Sequence, residues 1–409
     1  MDCLELFQGT ITQRQIEREY TTEHRPITLL DNATSIQFEV SLSENELIKF
    51  NDSSLYMKLQ VKGFKDGKAV AELGSTLPTN YLLNSLFKQV TLAVNGAPIN
   101  EPMPNFMYKA YIEAKLAYSK DAKKSHLTSA LWFGDDSKAV EHLNEGRPFE
   151  IMGRLHLDLS HQPKAFPGPC NLMIKLDLNP PSFMFTTDLS EISMKFIDVS
   201  FMAEKIALTN DALKAFKSQR IKKPIRMPYT SSFVRAIPIS ANTIDTCLED
   251  VCRGKIPKRI YLGFVKNSAY NGSYKAAPFV FENFGVNYLV CNVDGLQYPS
   301  IVYRPDFKAG LCAREYCGLV KCLGQDNTDS YAKMSYYDFL ASPIFGFPLT
   351  PNLDGADCVG GMINAPREGI IRIQLRFQEA LKLAITAIVY LEFDSALVID
   401  SAGNYNFQR

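Results

Sequence analysis

The chain carries no excess charge: across its 409 residues, 44 Lys plus Arg are matched by 44 Asp plus Glu. Phosphate neutralisation along a nucleic acid needs clustered excess base, so the average composition does not provide a nucleic-acid-binding shell. No apolar run reaches the roughly 20 residues of a bilayer span. The best candidate, Ile385 to Leu391, is short and reads as a buried strand. Met1-Asp2-Cys3-Leu4-Glu5 has neither the basic nor the apolar region of a secretory leader. The nine cysteines are therefore expected as reduced thiols in a cytosolic or nuclear compartment, and Asn32-Ala33-Thr34 as unglycosylated. Enzymatic signatures are missing too. There is no Gly-x-x-x-x-Gly-Lys loop, dinucleotide glycine triplet, His-Glu-x-x-His or Gly-x-Ser-x-Gly elbow. The expectation is a non-enzyme with no catalytic residues, cofactor site or metal site.

What is present is a folded chain that nearly repeats itself. An apolar fraction of 46% and an aromatic fraction of 11% support real cores, and the length suggests two or three domains. Val94-Asn95-Gly96 is answered 199 residues later by Val293-Asp294-Gly295. At the same offset Asn84 meets Asn283, Tyr108-Lys109-Ala110 meets Phe307-Lys308-Ala309, and Ala114 meets Ala313. Leu172, Ile174, Leu176 and Leu178 meet Ile371, Ile373, Leu375 and Phe377. Two half-chains of one pattern predict two copies of one fold.

The pattern is that of strands. Ile36, Phe38 and Val40 alternate with polar residues, and Leu55 to Phe64 runs into the turn signal Lys65-Asp66-Gly67. Asn95-Gly96 and Asp294-Gly295 suit two-residue hairpins, because both positions accept positive φ. Ile151, Leu155, Leu157 and Leu159 alternate with Arg154, His156, Asp158 and Ser160, which predicts a strand with a solvent-facing polar side. The apolar phase slips between Phe196 and Ile197, as a β-bulge would require. In the second half, Phe233 to Ile239, Ile260 to Phe264 (leading to Asn271-Gly272), Tyr288 to Val293, Ile371 to Phe377 and Ile385 to Phe393 read as strands. Helices punctuate: Tyr108 to Ser119, its echo Phe307 to Val320, and one capped by Asn210 that Pro224 and Pro228 close. The fold class expected is all-β with short helices, arranged as two tandem eight-stranded jelly-roll barrels, an arrangement that hides most sheet edges. The boundaries expected are an N-terminal arm over 1–25, a first jelly roll over 26–202, a linker with a short helix over 203–232, a second jelly roll over 233–400 and a C-terminal tail over 401–409. The arm, with Leu4, Leu6 and Phe7 near its end, is either free or docked on a neighbouring subunit.

Few constellations suggest chemistry. The linker run Lys214, Lys217, Arg220, Lys222, Lys223 and Arg226 has no interleaved aromatics for base stacking and reads as a solvated face. Cys247 and Cys252, and Cys312, Cys317 and Cys322, are spaced by five, unlike a zinc knuckle, and read as scattered thiols. His156, Asp158 and His161 offer three ligands, but on a strand edge they read as solvated polar residues. His126 or His142 with a cysteine has no supporting spacing. Gly96, Gly272 and Gly295 read as turn residues, not phosphate cradles.

Several blocks resemble the capsid-like proteins of Maverick/Polinton elements and adintoviruses. They are Asn84-Ser85-Leu86-Phe87-Lys88-Gln89-Val90, Val94-Asn95-Gly96, Tyr108-Lys109-Ala110-Tyr111-Ile112-Glu113 and Ala122-Lys123-Lys124-Ser125-His126-Leu127-Thr128-Ser129. The second half adds Pro257-Lys258-Arg259-Ile260, Gly263-Phe264-Val265, Ala269-Tyr270-Asn271-Gly272, Pro278-Phe279, Phe347-Pro348-Leu349-Thr350-Pro351 and Val389-Tyr390-Leu391-Glu392-Phe393. The resemblance covers about residues 20–400, with the loop Ala71 to Pro78 and the linker departing from it. It implies a double jelly-roll major capsid protein, a homotrimer with pseudo-hexameric outline that meets neighbouring capsomers in an icosahedral virion. It further implies a penton or minor capsid partner and no sequence-specific nucleic acid, and leaves an internal membrane open. Three other readings compete: a lectin-like sandwich using Tyr298, Tyr303, Tyr336 and Tyr337; a cupin-like enzyme, which lacks its His-x-His strand; and a host-domesticated relative that keeps the fold but not assembly.

Overall fold

The computed structural model describes residues 13–70, 72–99, 102–134, 140, 143, 145–324, 333–353 and 364–408. Each half of the chain packs two antiparallel sheets face to face. In the first half, Ile16–His24, Glu191–Leu208, Glu46–Lys65 and Lys68–Val70 form one sheet in that order, with Phe149–Gly153 and Phe166–Pro167 also on Glu46–Lys65. Ser35–Leu42, Cys170–Leu178, Phe87–Val94 and Ala97–Pro98 form the other. In the second half, Ile225–Ile239, Ile385–Ile399, Arg259–Lys266 and Phe345–Pro348 form one sheet, with Tyr405–Gln408 added to Ile385–Ile399. Asp245–Lys255, Glu368–Phe377, Val286–Val293 and Leu296–Tyr303 form its partner. This is the expected all-β double jelly roll.

The repeat is one of register. Leu172, Ile174 and Leu176 lie opposite Val94, Leu92 and Val90, and Ile371, Ile373 and Leu375 lie opposite Val293, Cys291 and Leu289. Every partner keeps the 199-residue offset, so the same side chains enter each core; a one-residue slip would turn them all outward. The hairpins match as well. Asn95 and Gly96 adopt φ of 50° and 83°, and Asp294 and Gly295 adopt 49° and 86°, values suited to a two-residue turn. In both, the turn side chain accepts a backbone N–H from the neighbouring strand, Asn171 to Asn95 Oδ1 at 2.8 Å and Ile370 to Asp294 Oδ1 at 2.9 Å. The phase slip in Glu191–Leu208 is a bulge between Phe196 and Asp198, which leaves Ile197 partly exposed while Val199 and Phe201 return to the core.

Several expectations are corrected. Only Phe149–Gly153 of the stretch 151–160 is strand; a 3-10 helix, Asp158–His161, follows, and His156, Asp158 and Ser160 are buried, not solvated. The echo of Tyr108-Lys109-Ala110 is a turn, because the preceding strand Leu296–Tyr303 runs long and a bridge from Asp306 to Leu311 closes behind it; the helix starts at Ala313 and ends at Cys322. Asn271-Gly272 ends a short helix, Asn267–Tyr270, and is not a hairpin like Asp66-Gly67. The linker helix Asn210–Lys222 is capped by Thr209, whose side chain accepts from the Ala212 N–H, one residue before the expected cap. Within the segment read as an arm, Ile16–His24 is an edge strand on Glu191–Leu208. Within the segment read as a tail, Tyr405–Gln408 is a strand, and the Tyr405 ring stacks on Phe166 of the first barrel at 5.5 Å. Leu4, Leu6 and Phe7 lie outside the described residues.

Candidate functional site

The two barrels meet around the helix Phe106–Ala117. Apart from Glu113, Lys115 and its last residue, every residue of this helix is buried, so it cannot be a surface helix of one barrel. Its N-cap, Asn105, sits at φ 89° and makes no side-chain cap. The Asn105 side chain instead accepts from Tyr270 Oη at 2.9 Å and donates to the Val234 carbonyl at 3.5 Å, both in the second half. Tyr111 stacks on Phe279 at 4.2 Å, and Tyr108 donates to the Pro278 carbonyl at 3.1 Å. Such stacked aromatics contribute about 0.5–1.5 kcal/mol beyond their buried area.

One turn apart on the same helix, Lys109 and Glu113 are enclosed in a polar network. Lys109 Nζ donates to Asp158 Oδ1 and to the His156 carbonyl, both at 2.6 Å, and lies 3.6 Å from Glu113 Oε1. Glu113 Oε2 meets His156 Nδ1 at 2.7 Å and His161 Nε2 at 3.0 Å, and Glu113 Oε1 accepts from Tyr390 Oη at 2.8 Å. Asp158 also accepts from Ser232 Oγ at 2.9 Å, and His156 Nε2 meets Tyr81 Oη at 2.8 Å. Tyr390 and Ser232 belong to the second barrel, so the network ties the halves together through charged groups out of water.

Burial pushes the Glu113 carboxyl up, but Lys109, His161 and His156 outweigh it and hold the group well below the usual carboxylate range. Burial lowers Lys109, yet Asp158 and Glu113 more than restore its charge. Burial depresses His156 to about 4, so it is neutral at pH 7. Glu113, His156 and His161 converge within 4.8 Å and have the donor types of a divalent cation site. The Lys109 ammonium beside Glu113 already supplies the balancing cation, and both His156 nitrogens are occupied. The arrangement is a lock between barrels, and the ligand trio differs from the sequence trio by exchanging Asp158 for Glu113. Sequence reasoning missed Lys109, Glu113, Tyr81 and Tyr390. The available signal was a lysine and a glutamate four apart within an otherwise apolar helical stretch.

The other candidates do not gather. Cys312 and Cys322 are buried, with burial raising their thiols to about 11 and about 12, whereas Cys247 and Cys317 are exposed. Cys3 and Cys358 are outside the described residues, as is His142; His126 sits on an exposed 3-10 turn against Tyr118. The basic linker helix buries no residue, and Lys217 pairs with Glu44 at 2.6 Å. Of the four tyrosines, Tyr303 is buried and donates to the Gly346 carbonyl, Tyr336 donates to the Gly310 carbonyl, and Tyr337 is exposed.

The fold matches that of double jelly-roll capsid proteins. The chain superposes on the Sputnik virophage structure with a TM-score of 0.66 at 11% identity, covering 100% of this chain and 92% of that one. For the faustovirus major capsid protein the values are 0.58, 11%, 96% and 92%, and for the mavirus major capsid protein 0.54, 10%, 95% and 90%. In sequence, a protein of Caenorhabditis elegans is 26% identical over 341 residues, 80% of each chain. No protein-family model matches the chain.

Proposed function

We propose that this chain is a major capsid protein whose homotrimers, each with six similar barrels, form pseudo-hexameric capsomers of an icosahedral shell. The observation that carries this reading is the repeated register: two barrels of one design are locked side by side in one chain, and the whole chain superposes on viral capsid proteins. Three such chains in a ring offer six near-equivalent corners, which suits hexagonal tiling by a closed cyclic oligomer. Function then resides in interfaces, with no catalytic step or cofactor. Partners are the neighbouring capsomers and a penton or minor capsid protein at five-fold positions; kinship with Maverick/Polinton elements and adintoviruses belongs to the same proposal. Light scattering coupled to size exclusion should give three times 45.9 kDa, and negative stain should show hexagonal plates or shells. A strictly monomeric protein that binds a glycan would sink this reading. The similarity to a nematode protein favours a second one, a capsid fold retained by an animal host without assembly; absence of trimers and shells from the purified protein would support it.

A further inference from the structure

The second barrel carries a feature that the first lacks. In the first half, Ser35–Leu42 pairs with Cys170–Leu178 residue for residue. In the second half, Glu249, Asp250 and Val251 stand opposite Arg372 alone, between the pairs Leu248 with Ile373 and Cys252 with Ile371. Asp250 takes φ 52° within this bulge, a conformation that a short polar side chain tolerates. The first barrel closes without such a bulge, so the fold alone does not call for it. Bulges re-aim side chains, and this one borders a cavity of about 240 Å³. The cavity lies between the edge strands of the two sheets, Asp245–Lys255 and Ile225–Ile239.

Its chemistry is one-sided. Arg235, Arg253 and Lys255 line it, and among the described residues no carboxylate does. Where Arg253 pairs with Ile370, the first barrel pairs Ser41 with Asn171, so this charge is not part of the repeat. The bulge holds both guanidiniums: Arg235 donates to the Asp250 carbonyl, and Arg253 Nη2 donates to Asp250 Oδ1 at 2.8 Å. The Asp250 carboxylate balances one of the three cations. Lys255 donates to the Asp394 carbonyl, which carries no charge, and the Asp394 carboxylate lies 3.5 Å from Lys258. Burial lowers the Lys255 ammonium further than Asp394 raises it, so an anion beside it would favour its charge. Behind the cations, Val251 and Leu391 are buried, and Phe233 and Phe393 complete an apolar wall.

We propose that this cavity binds a small amphiphilic anion, with an oxyanion headgroup held by Arg235, Arg253 and Lys255 and a short hydrocarbon tail laid against Val251, Leu391 and Phe393. A guanidinium matches two oxygens of a carboxylate or a phosphate with paired N–H groups. A mouth lined by cations against a low-dielectric wall focuses the field on an anion. The volume lies below the roughly 300–1,000 Å³ of drug-sized sites, which restricts the ligand to a compact one. The site needs one chain only, so its test stands apart from that of the trimer.

The test titrates octanoate and octyl phosphate into the full chain by calorimetry, with octanol and acetate as probes that lack the charge or the tail. At least one of the two anions should bind with a dissociation constant below about 1 mM, and octanol and acetate at least about ten-fold more weakly. The tighter of octanoate and octyl phosphate identifies the headgroup. Arg253→Gln and Lys255→Gln should each weaken that binding about ten-fold, while Lys308→Gln, which removes an exposed charge elsewhere, leaves it unchanged. Arg253 is exposed, so the melting temperature of its variant should match that of the unaltered protein. Failure of both anions to bind overturns the proposal. So does octanol binding as tightly as the anions, because the cations then play no part. Equal weakening by Lys308→Gln would reduce the effect to overall charge, and full binding in Arg253→Gln and Lys255→Gln would put the ligand elsewhere; either result overturns the site.

Discussion

The helices Phe106–Ala117 and Ala313–Cys322 follow matching hairpins, yet one is buried almost all round and the other keeps a solvent face at Ala313, Arg314, Cys317 and Lys321. The same repeat position therefore carries opposite chemistry. Lys109 is held between two carboxylates with 1% exposure, whereas its echo Lys308 is exposed. Ile112 is core and Leu311 is surface. The difference begins in the local fold, since a turn closed by the Asp306–Leu311 bridge delays the second helix to Ala313, and it continues in what stands beside each barrel. The first has the second barrel against it; the second has, within its own chain, no further barrel.

The largest way to break this comparison is at the lysines. Lys109→Met strands Asp158 and Glu113 as buried charges and should cost about 3–5 kcal/mol, whereas Lys308→Met should stay within about 0.5 kcal/mol. Urea denaturation of both variants checks it, and equal costs would show that Lys109 is not held by the network. Next, Ile112→Ala should lose about 2–5 kcal/mol through its cavity, while Leu311→Ala loses less than about 0.5 kcal/mol in stability. Comparable losses would show that Leu311 is part of its own barrel's core.

A third prediction concerns acid. Folded His156 titrates near 4, below the ordinary histidine value of 6.5. The unfolded chain therefore takes up this proton first, so the contribution is full above pH 6.5 and is lost as pH falls toward 4. The slope is at most about 1.4 kcal/mol per pH unit. Glu113 adds a second loss below the ordinary carboxylate value of 4.5, because its folded value is depressed. His156→Gln should flatten the curve between pH 6.5 and 4 in melts across that range; an unchanged slope would place the titration elsewhere. The smallest effect should be the same in both halves: Gly96→Ala and Gly295→Ala each force a side chain into left-handed backbone and should cost about 1 kcal/mol. Unequal costs would mean that the two turns are not geometric copies under load.

Much of the barrel was legible because strands declare themselves locally. Alternation at Ile36, Phe38 and Val40, the turn pairs Asn95-Gly96 and Asp294-Gly295, and the phase slip at Phe196-Ile197 each have one backbone solution. The stretch from Arg154 to Ser160 misled for the same reason. Its alternation is real, but His156 and Asp158 alternate toward Tyr81, Glu113 and Lys109 rather than toward water. A polar residue looks identical in sequence whether its partner is solvent or a buried ion.

The sequence by itself determined two copies of one β pattern, with their cores, hairpins and shared register, because periodicity and turn chemistry act over a few residues. Only the tertiary structure decided that one copy of a helix is swallowed and the other left open, and that Glu113 and Asp158 of the first half take hydrogen bonds from Tyr390 and Ser232 of the second. Those outcomes depend on which surface of a distant barrel arrives alongside, which no short-range pattern encodes.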